Sequence, residues 1–375
     1  MKGDLMSEYQ YYEFRAIDRL LTLDEQEKLR SRSSRAEITQ SSFVNHYMYG
    51  DFRGDSRQLM EDFFDLHLYM ANWGSRQLTI RVPKQFLAGS NSSNFLSETE
   101  VAEVWTSGDH LIVDIRRDEL DDAYGWVEGD GWLDALAPLR TELLSGDLRL
   151  FYLIWLMAVE DEFLPDNAVE PLPGIGPLTD ALESAAEFFC IDSELLAAAA
   201  SVSYETPSQS AQREFISRFT ETEKTDLLLR LMGGDKHVGP ELMRGARQTK
   251  SGGTGDEPRT IEALRTTAKD ISAARKRAEE ERRRAEAARK AAEAVEARRP
   301  RLVELKKRGE YIWGDVESEV AASCAASYKR AAALLEDLKH LASEQNTMSE
   351  FTARLEAIRE RHARKRGFLN RIESL

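Results

Sequence analysis

Apolar residues along the first third of the chain switch between a two-residue and a three-to-four-residue period. QYYEFRAI (10–17), rich in aromatic and β-branched side chains, predicts a strand. TLDE follows, with Thr22 and Glu25 at capping-box spacing, so a helix is expected from about Leu23 to Ser33. In AEITQSSFVNHYMYGDF, Phe43, Asn45, Tyr47 and Tyr49 alternate with Val44, His46 and Met48, which suits a strand covered on both faces and leaving through Gly50 and Gly54. Asp55 or Ser56 can cap a second helix whose Leu59, Met60, Phe63, Leu66, Met70 and Trp73 give a wide apolar face. RQLTIRVP (76–83) predicts another strand, and Gly108-Asp109 between EVWTS and HLIVDIR signals a hairpin. These elements predict an α+β sheet module over residues 1–130.

From 131 to 232 the pattern is helical, with proline and glycine between segments, and LRLFYLIWLMAV is apolar nearly all round, as a central packed helix requires. This region is expected to pack on the sheet module. Residues 233–258, rich in glycine and polar residues, read as a flexible linker and a site of proteolytic nicking. A long charged helix is expected over 259–299. Its column Leu264, Ile271, Ala278, Ala285, Ala292 stays apolar, but the companion column runs Ile261, Ala268, Arg275, Arg282, Arg289, Glu296, so no lasting coiled-coil seam forms. The expectation is a solvated rod of ~58 Å, ended by Pro300. Over 300–375, Leu334, Leu338 and Leu341, then Phe351, Leu355 and Ile358 after a turn near Asn346, predict a helical hairpin like one tetratricopeptide-type unit, without a second copy. The fold class expected is thus an α+β module, a mostly α-helical middle, a long charged helix and a C-terminal helical hairpin.

Charge sharpens this division. Of the 51 basic and 66 acidic residues, 27 and 20 lie from Arg259 onward, so that part carries +7 and residues 1–258 carry −22. The basic arm, with Arg275, Arg282, Arg283, Arg284 and Arg289, raises nucleic acid as a partner. Interleaved glutamates and the lack of stacking aromatics weigh against it. The two cysteines, Cys190 and Cys324, are far apart and suggest neither a disulfide framework nor a zinc site, which fits a reducing cytoplasm. MKGDLMSEYQYYEF lacks a signal-peptide core, Met6 offers a second start, and the longest apolar run, 150–159, is short of the ~20 residues that span a bilayer.

One stretch has the density of a site. NHYMYGDFRGD (45–55) holds His46, Tyr47, Asp51, Arg53 and Asp55. Strand spacing, glycine turns and helix capping account for most of it. What remains is a partner-facing patch, or an acid/base couple of His46 with Asp51 or Asp55. His67 sits beside an apolar face with no second histidine at metal spacing, GIGPLT is interrupted by Pro177, and EGDGW lacks the ligand spacing of a calcium loop. Cys190, flanked by Glu187 and Asp192, reads as a buried, inert thiol. No catalytic, cofactor or metal residue is assigned, and no cofactor is expected.

YYEFRAIDRLLTLDEQEKLRSRSSRAEIT, with GDFRGD and LYMANWG after it, resembles the start of a widespread family of uncharacterised bacterial proteins, and EFTARLEAIRERHARKRGFL resembles tails of the same family. The resemblance implies a bacterial protein and brings no activity or site residue with it. Such tails are also similar to the ends of bacterial zinc-finger proteins, but the cysteines for a finger are missing. The expected function is a non-enzymatic protein–protein interaction or regulatory protein with an acidic body and a basic helical arm. The alternatives are an enzyme built on His46 with Asp51 or Asp55, and a switch cut by a protease in the linker, as in defence pathways.

Overall fold

The computed structural model describes residues 8–50, 52–86, 101–120, 128–248, 258–373 and 375, with Arg298 by its backbone alone. Its period-two segments pair into one antiparallel sheet of seven described strands, in the order β2-β3-β1-β4-β5-β7-β6. The strands are β1 (Gln10–Arg15), β2 (Glu37–Ile38), β3 (Ser42–Tyr47), β4 (Leu66–Ala71), β5 (Arg76–Pro83), β6 (Ala102–Ser107) and β7 (His110–Arg117). Register carries one row across six of them: Phe43, Phe14, His67, Thr79, Asp114 and Glu103. β6 and β7 turn at Gly108, whose φ of 54° is the left-handed conformation the hairpin signal anticipates.

Alternation divides the sheet. On one face Leu68, Leu78, Ile80, Val113 and Ile115 are buried in a core shared with helices from the middle of the chain. Those helices are α3 (Trp132–Leu136), α4 (Pro138–Leu144), α5 (Arg149–Glu160), α6 (Asp180–Phe188) and α7 (Ser193–Ala200). α5 is buried from Arg149 to Val159, as its all-round apolar sequence demands. On the other face Phe14 and Phe43 meet Leu29 of α1 (Leu23–Arg32), Leu59 and Met60 of α2 (Ser56–Asp62), and Phe64 just after α2. The capping box of Thr22 and Glu25 starts α1, and Asp55 caps α2.

The expected second helix is much shorter than its apolar spacing suggests, 7 residues. It ends at Asp62, and Leu66–Ala71 forms β4 between β1 and β5. Leu66 and Met70 fit a helical face, but with Leu68 between them they also keep strand alternation, and two strand neighbours decide between the periods. The expected linker also differs, because α8 (Gln209–Ser217) and α9 (Glu221–Met232) are followed by a further helix, α10 (Val238–Gln248). It buries Val238, Pro240 and Ala246, and Phe215 of α8 lies so close to Gly245 that an added Cβ would stand 2.2 Å from its ring. Residues 249–257 of that expected linker lie outside the described residues.

Two compact units divide the chain, Met1–Ala274 and Arg275–Leu375. The boundary falls inside α11 (Ile261–Arg308), not before it. In the first unit Ile261, Leu264 and Ala268 are 0–5% exposed within the sheet–helix core, so the root of the arm belongs to the body. Pro300 does not end the helix. A proline deletes one backbone donor, and Leu302 and Leu305 just beyond it pack into the core of the second unit. That unit continues with α12 (Tyr311–Ala321), α13 (Ala325–Glu344), α14 (Met348–Arg361) and α15 (Arg366–Leu369), around Ile312, Val316, Leu335, Leu355 and Phe368. The expected hairpin is α13 and α14, turning at Asn346 with φ 57°, and α12 and the end of α11 complete its core. Among the described residues no helix is long and apolar enough to cross a membrane.

Three buried carboxylates join distant segments of the first unit. Asp65 accepts Arg81 at 2.9 Å and the amides of Ile17 and Asp18 at 2.6 and 2.9 Å, while Arg140 bonds Asp18 and the carbonyl of Arg81. Burial pushes the Asp65 carboxyl up, but Arg140, Arg81 and the two amides outweigh it and hold it below the usual range. Asp147 is held by Arg149 and by Arg247 of α10. Glu170 takes the Tyr152 hydroxyl at 2.5 Å and both the amide and the guanidinium of Arg259 at 2.8–2.9 Å. Asp65→Asn is expected to cost ~3–5 kcal/mol, because it leaves two buried guanidiniums short of their anion. Urea unfolding of the full chain measures this, and an unchanged midpoint would refute the role given to Asp65.

Candidate functional site

Strand alternation separates the members of the expected patch. His46 is exposed on the face of β3 that carries Val44, whereas Asn45 and Tyr47 lie on the opposite face. Tyr47 accepts a hydrogen bond from Asn45 at 2.7 Å and meets Tyr12 edge-on. Arg53 is exposed. Asp55 is engaged by the amides of Arg57 and Gln58, as a helix cap. Asp51 lies outside the described residues. Among the described residues no hydrogen bond or ion pair links His46 to Asp55, so their strand and capping roles account for them.

The α1/α2 face of the sheet carries polar side chains beside its apolar half. Asp114 accepts Thr79 at 2.6 Å and Gln77 at 2.8–2.9 Å; burial raises its carboxyl, and these donors offset part of the effect. Tyr12 donates to Gln10, and Tyr69 contacts the same amide oxygen at 3.4 Å. His67 stacks on Phe14 at 3.9 Å, and its Nδ1 lies 3.1 Å from the Glu13 carbonyl. Its Nε2 has no hydrogen-bond partner among the described residues, and burial lowers its pKa to about 4. It is a neutral core histidine.

Cys190 is less buried than expected, although its raised thiol agrees with an inert character. It is half-buried, at φ 53°, and Arg117 donates to its carbonyl and to that of Phe189. Burial raises the thiol, outweighing the opposing pull of Arg76 and Arg117. The arm arginines Arg275, Arg282, Arg283, Arg284 and Arg289 are exposed on α11. Arg284–Glu280, Arg289–Glu293 and Lys290–Glu286 pair along the helix, contacts worth ~0.3–0.5 kcal/mol each.

A built concavity lies in the second unit. The end of α11, α12, the end of α13 and the start of α14 enclose about 250 Å³ over a floor of Leu305, Ile312, Leu338, Ala342 and Phe351. These floor residues are buried, whereas Trp313 is only half-buried on the groove wall, with its ring 5.9 Å from Phe351. Gly309, at φ 57°, makes the turn that brings α12 across the end of α11. Arg354 stands 5.4 Å over the indole and is clamped by both oxygens of Glu310 at 2.7 and 2.8 Å. Lys306 and Glu350 bring one charge of each sign to the rim. Sequence reasoning placed no site here. The signal was present in RGEYIWGD, where a glycine and a tryptophan interrupt an otherwise charged amphipathic run, but the floor comes from four helices.

No protein-family model, curated protein or solved structure matches the chain.

His67 supplies a test of the electrostatics in the first unit. Protonation favours the unfolded chain, where histidine titrates near 6.5, over the fold, where it titrates near 4. The stability contributed by neutral His67 is therefore full above pH ~6.5 and is lost as pH falls toward 4, by ~2–3 kcal/mol. His67→Phe should flatten that part of the urea-midpoint profile between pH 7 and 4.5. An identical slope in both proteins would contradict this assignment.

Proposed function

We propose that the chain is a non-enzymatic protein-interaction or regulatory protein, and that its C-terminal unit receives a partner helix in the Trp313 groove. The observation that carries this reading is the half-buried indole above an apolar floor, fixed from one side by the Glu310–Arg354 pair. Tryptophan and arginine in a desolvated pocket are the residues that dominate binding energy at interfaces. At about 250 Å³ the groove is smaller than the ~300–1,000 Å³ of small-molecule sites and matches one or two large apolar side chains. The partner of that chemistry is an amphipathic helix with apolar anchors three or four residues apart, flanked by an acidic residue for Lys306 and a basic one for Glu350. The exposed arm supports a second, electrostatic contact to a protein rather than to nucleic acid, since Glu280, Glu286 and Glu293 pair with its cations. Two unpaired cysteines are consistent with work in the cytoplasm.

Photocross-linking from position 313 tests the proposal. With p-benzoylphenylalanine in place of Trp313, one defined protein adduct is expected in the producing cell, and the same probe at exposed Arg364 should not give it. Trp313→Ala should then weaken binding of that purified partner about 10-fold or more, with the fold retained. Equal adducts at both positions, or unchanged affinity, would refute the groove as the docking site.

A further inference from the structure

We propose that the first unit binds a small monocarboxylate with an apolar body, and that the buried guanidinium of Arg76 takes the carboxylate. No residue of the Trp313 groove enters this site. Arg76, Arg81, Arg140 and Arg149 are all buried, 9, 7, 3 and 4% exposed. Three of them meet a carboxylate: Arg81 reaches Asp65 at 2.9 Å, Arg140 reaches Asp18 at 2.6 Å and Arg149 reaches Asp147 at 2.9 Å. Arg76 meets none among the described residues. Its Nη1 donates to the Met70 thioether at 2.8 Å, a weak acceptor, and its Nε is buried without a hydrogen-bond partner. Its Cζ stands 5.4 Å from the centre of the Phe188 ring, which offers the charge a π face but no lone pair. A guanidinium withdrawn from water in this way is disfavoured until an anion takes up its donors, and burial lowers its pKa accordingly.

Strand register puts the charge there. Arg76 opens β5 on the side that carries Leu78 and Ile80, and it pairs across the sheet with Met70 of β4 and Arg117 of β7. Arg117 is already engaged by Glu160 at 2.7 Å, by Asp161 at 3.0 Å and by the carbonyls of Phe189 and Cys190. Cys190 supplies no anion either, since burial raises its thiol. One positive charge is therefore left over at this end of the sheet. Phe188 is fully buried, but Trp132, with its ring 5.4 Å from that of Phe188, and Cys190 are half-buried, so this corner of the core reaches the surface.

The surroundings select the ligand's chemistry. A guanidinium fork matches the two oxygens of a carboxylate, and one spare cation balances one negative charge. A phosphate dianion would set its second charge near Glu160 and Asp161, whose only cation here is Arg117. Met70 and Phe188 flank the guanidinium and favour an apolar body beside the carboxylate. Benzoate is the simplest probe of that class.

Calorimetric titration and thermal melting of the full chain test the proposal, with benzoate, acetate and inorganic phosphate as probes up to about 10 mM. Benzoate should bind and raise the melting temperature, acetate should bind at least ~10-fold more weakly, and phosphate should do neither. Arg76→Met should melt no lower than the wild type in buffer without these anions, because it replaces an unpaired buried cation by an apolar side chain of similar length, and it should lose the response to benzoate. Arg76→Lys, which keeps the charge but not the fork, should weaken benzoate binding at least ~10-fold. A wild type that does not bind benzoate, or an Arg76→Met protein that binds it equally, overturns the proposal. So does an Arg76→Met protein that melts lower without anions, since Arg76 would then have its counter-ion within the chain. Phosphate or acetate binding as tightly as benzoate overturns the assignment to an apolar monocarboxylate.

Discussion

A carboxylate withdrawn from water costs several kcal/mol unless a cation and hydrogen-bond donors replace its hydration. Among the carboxylates the first unit buries are Asp65, Asp147 and Glu170, each 0–3% exposed. Each is held by an arginine that the chain brings from another element. Asp65 fixes the start of β4 against β5 and α4, with Arg140 reaching on to Asp18. Asp147 ties the turn before α5 to α10 through Arg247. Glu170 receives Arg259, the residue two before α11 begins, and so sets where Ile261, Leu264 and Ala268 enter the core. Such knots contribute little net stability relative to apolar packing, but removing one partner leaves a buried charge unpaired. They therefore specify which segments pack together more than they strengthen the packing.

Some of the acidity of residues 1–258 is consumed internally, while Leu228, Leu229, Leu231 and Met232 of α9 stay exposed and Trp313 stays half-buried. The arm in between is spaced by intrahelical pairs of low energy, which keep it helical without committing it to a neighbour.

Local chemistry was legible in the sequence where a few adjacent residues decide the outcome. The Thr22–Glu25 capping box, the Asp55 cap, the Gly108 hairpin and the Asn346 turn all lie where residue types demand them. Misreadings arise where tertiary neighbours choose between two local possibilities. Leu66 and Met70 fit a helix or a strand until β1 and β5 flank them. The glycine-rich composition of 233–258 hid α10, whose Val238 and Ala246 are buried against elements far away in sequence. Glu170 and Arg259 are 89 positions apart and neither has a motif. The patch around His46 looked continuous because adjacency in a strand means opposite faces in a sheet, and the groove escaped notice because no single helix contains it.

The central structural claim, that the root of the arm is part of the body's core, is tested most directly by comparing the unfolding free energies of chains ending at residue 258 and at residue 274. The account predicts that the chain ending at 274 keeps the stability of the body. The chain ending at 258 should lose at least ~3 kcal/mol, since Glu170 loses its guanidinium and the core loses Ile261, Leu264 and Ala268. Equal stability of the two would contradict it.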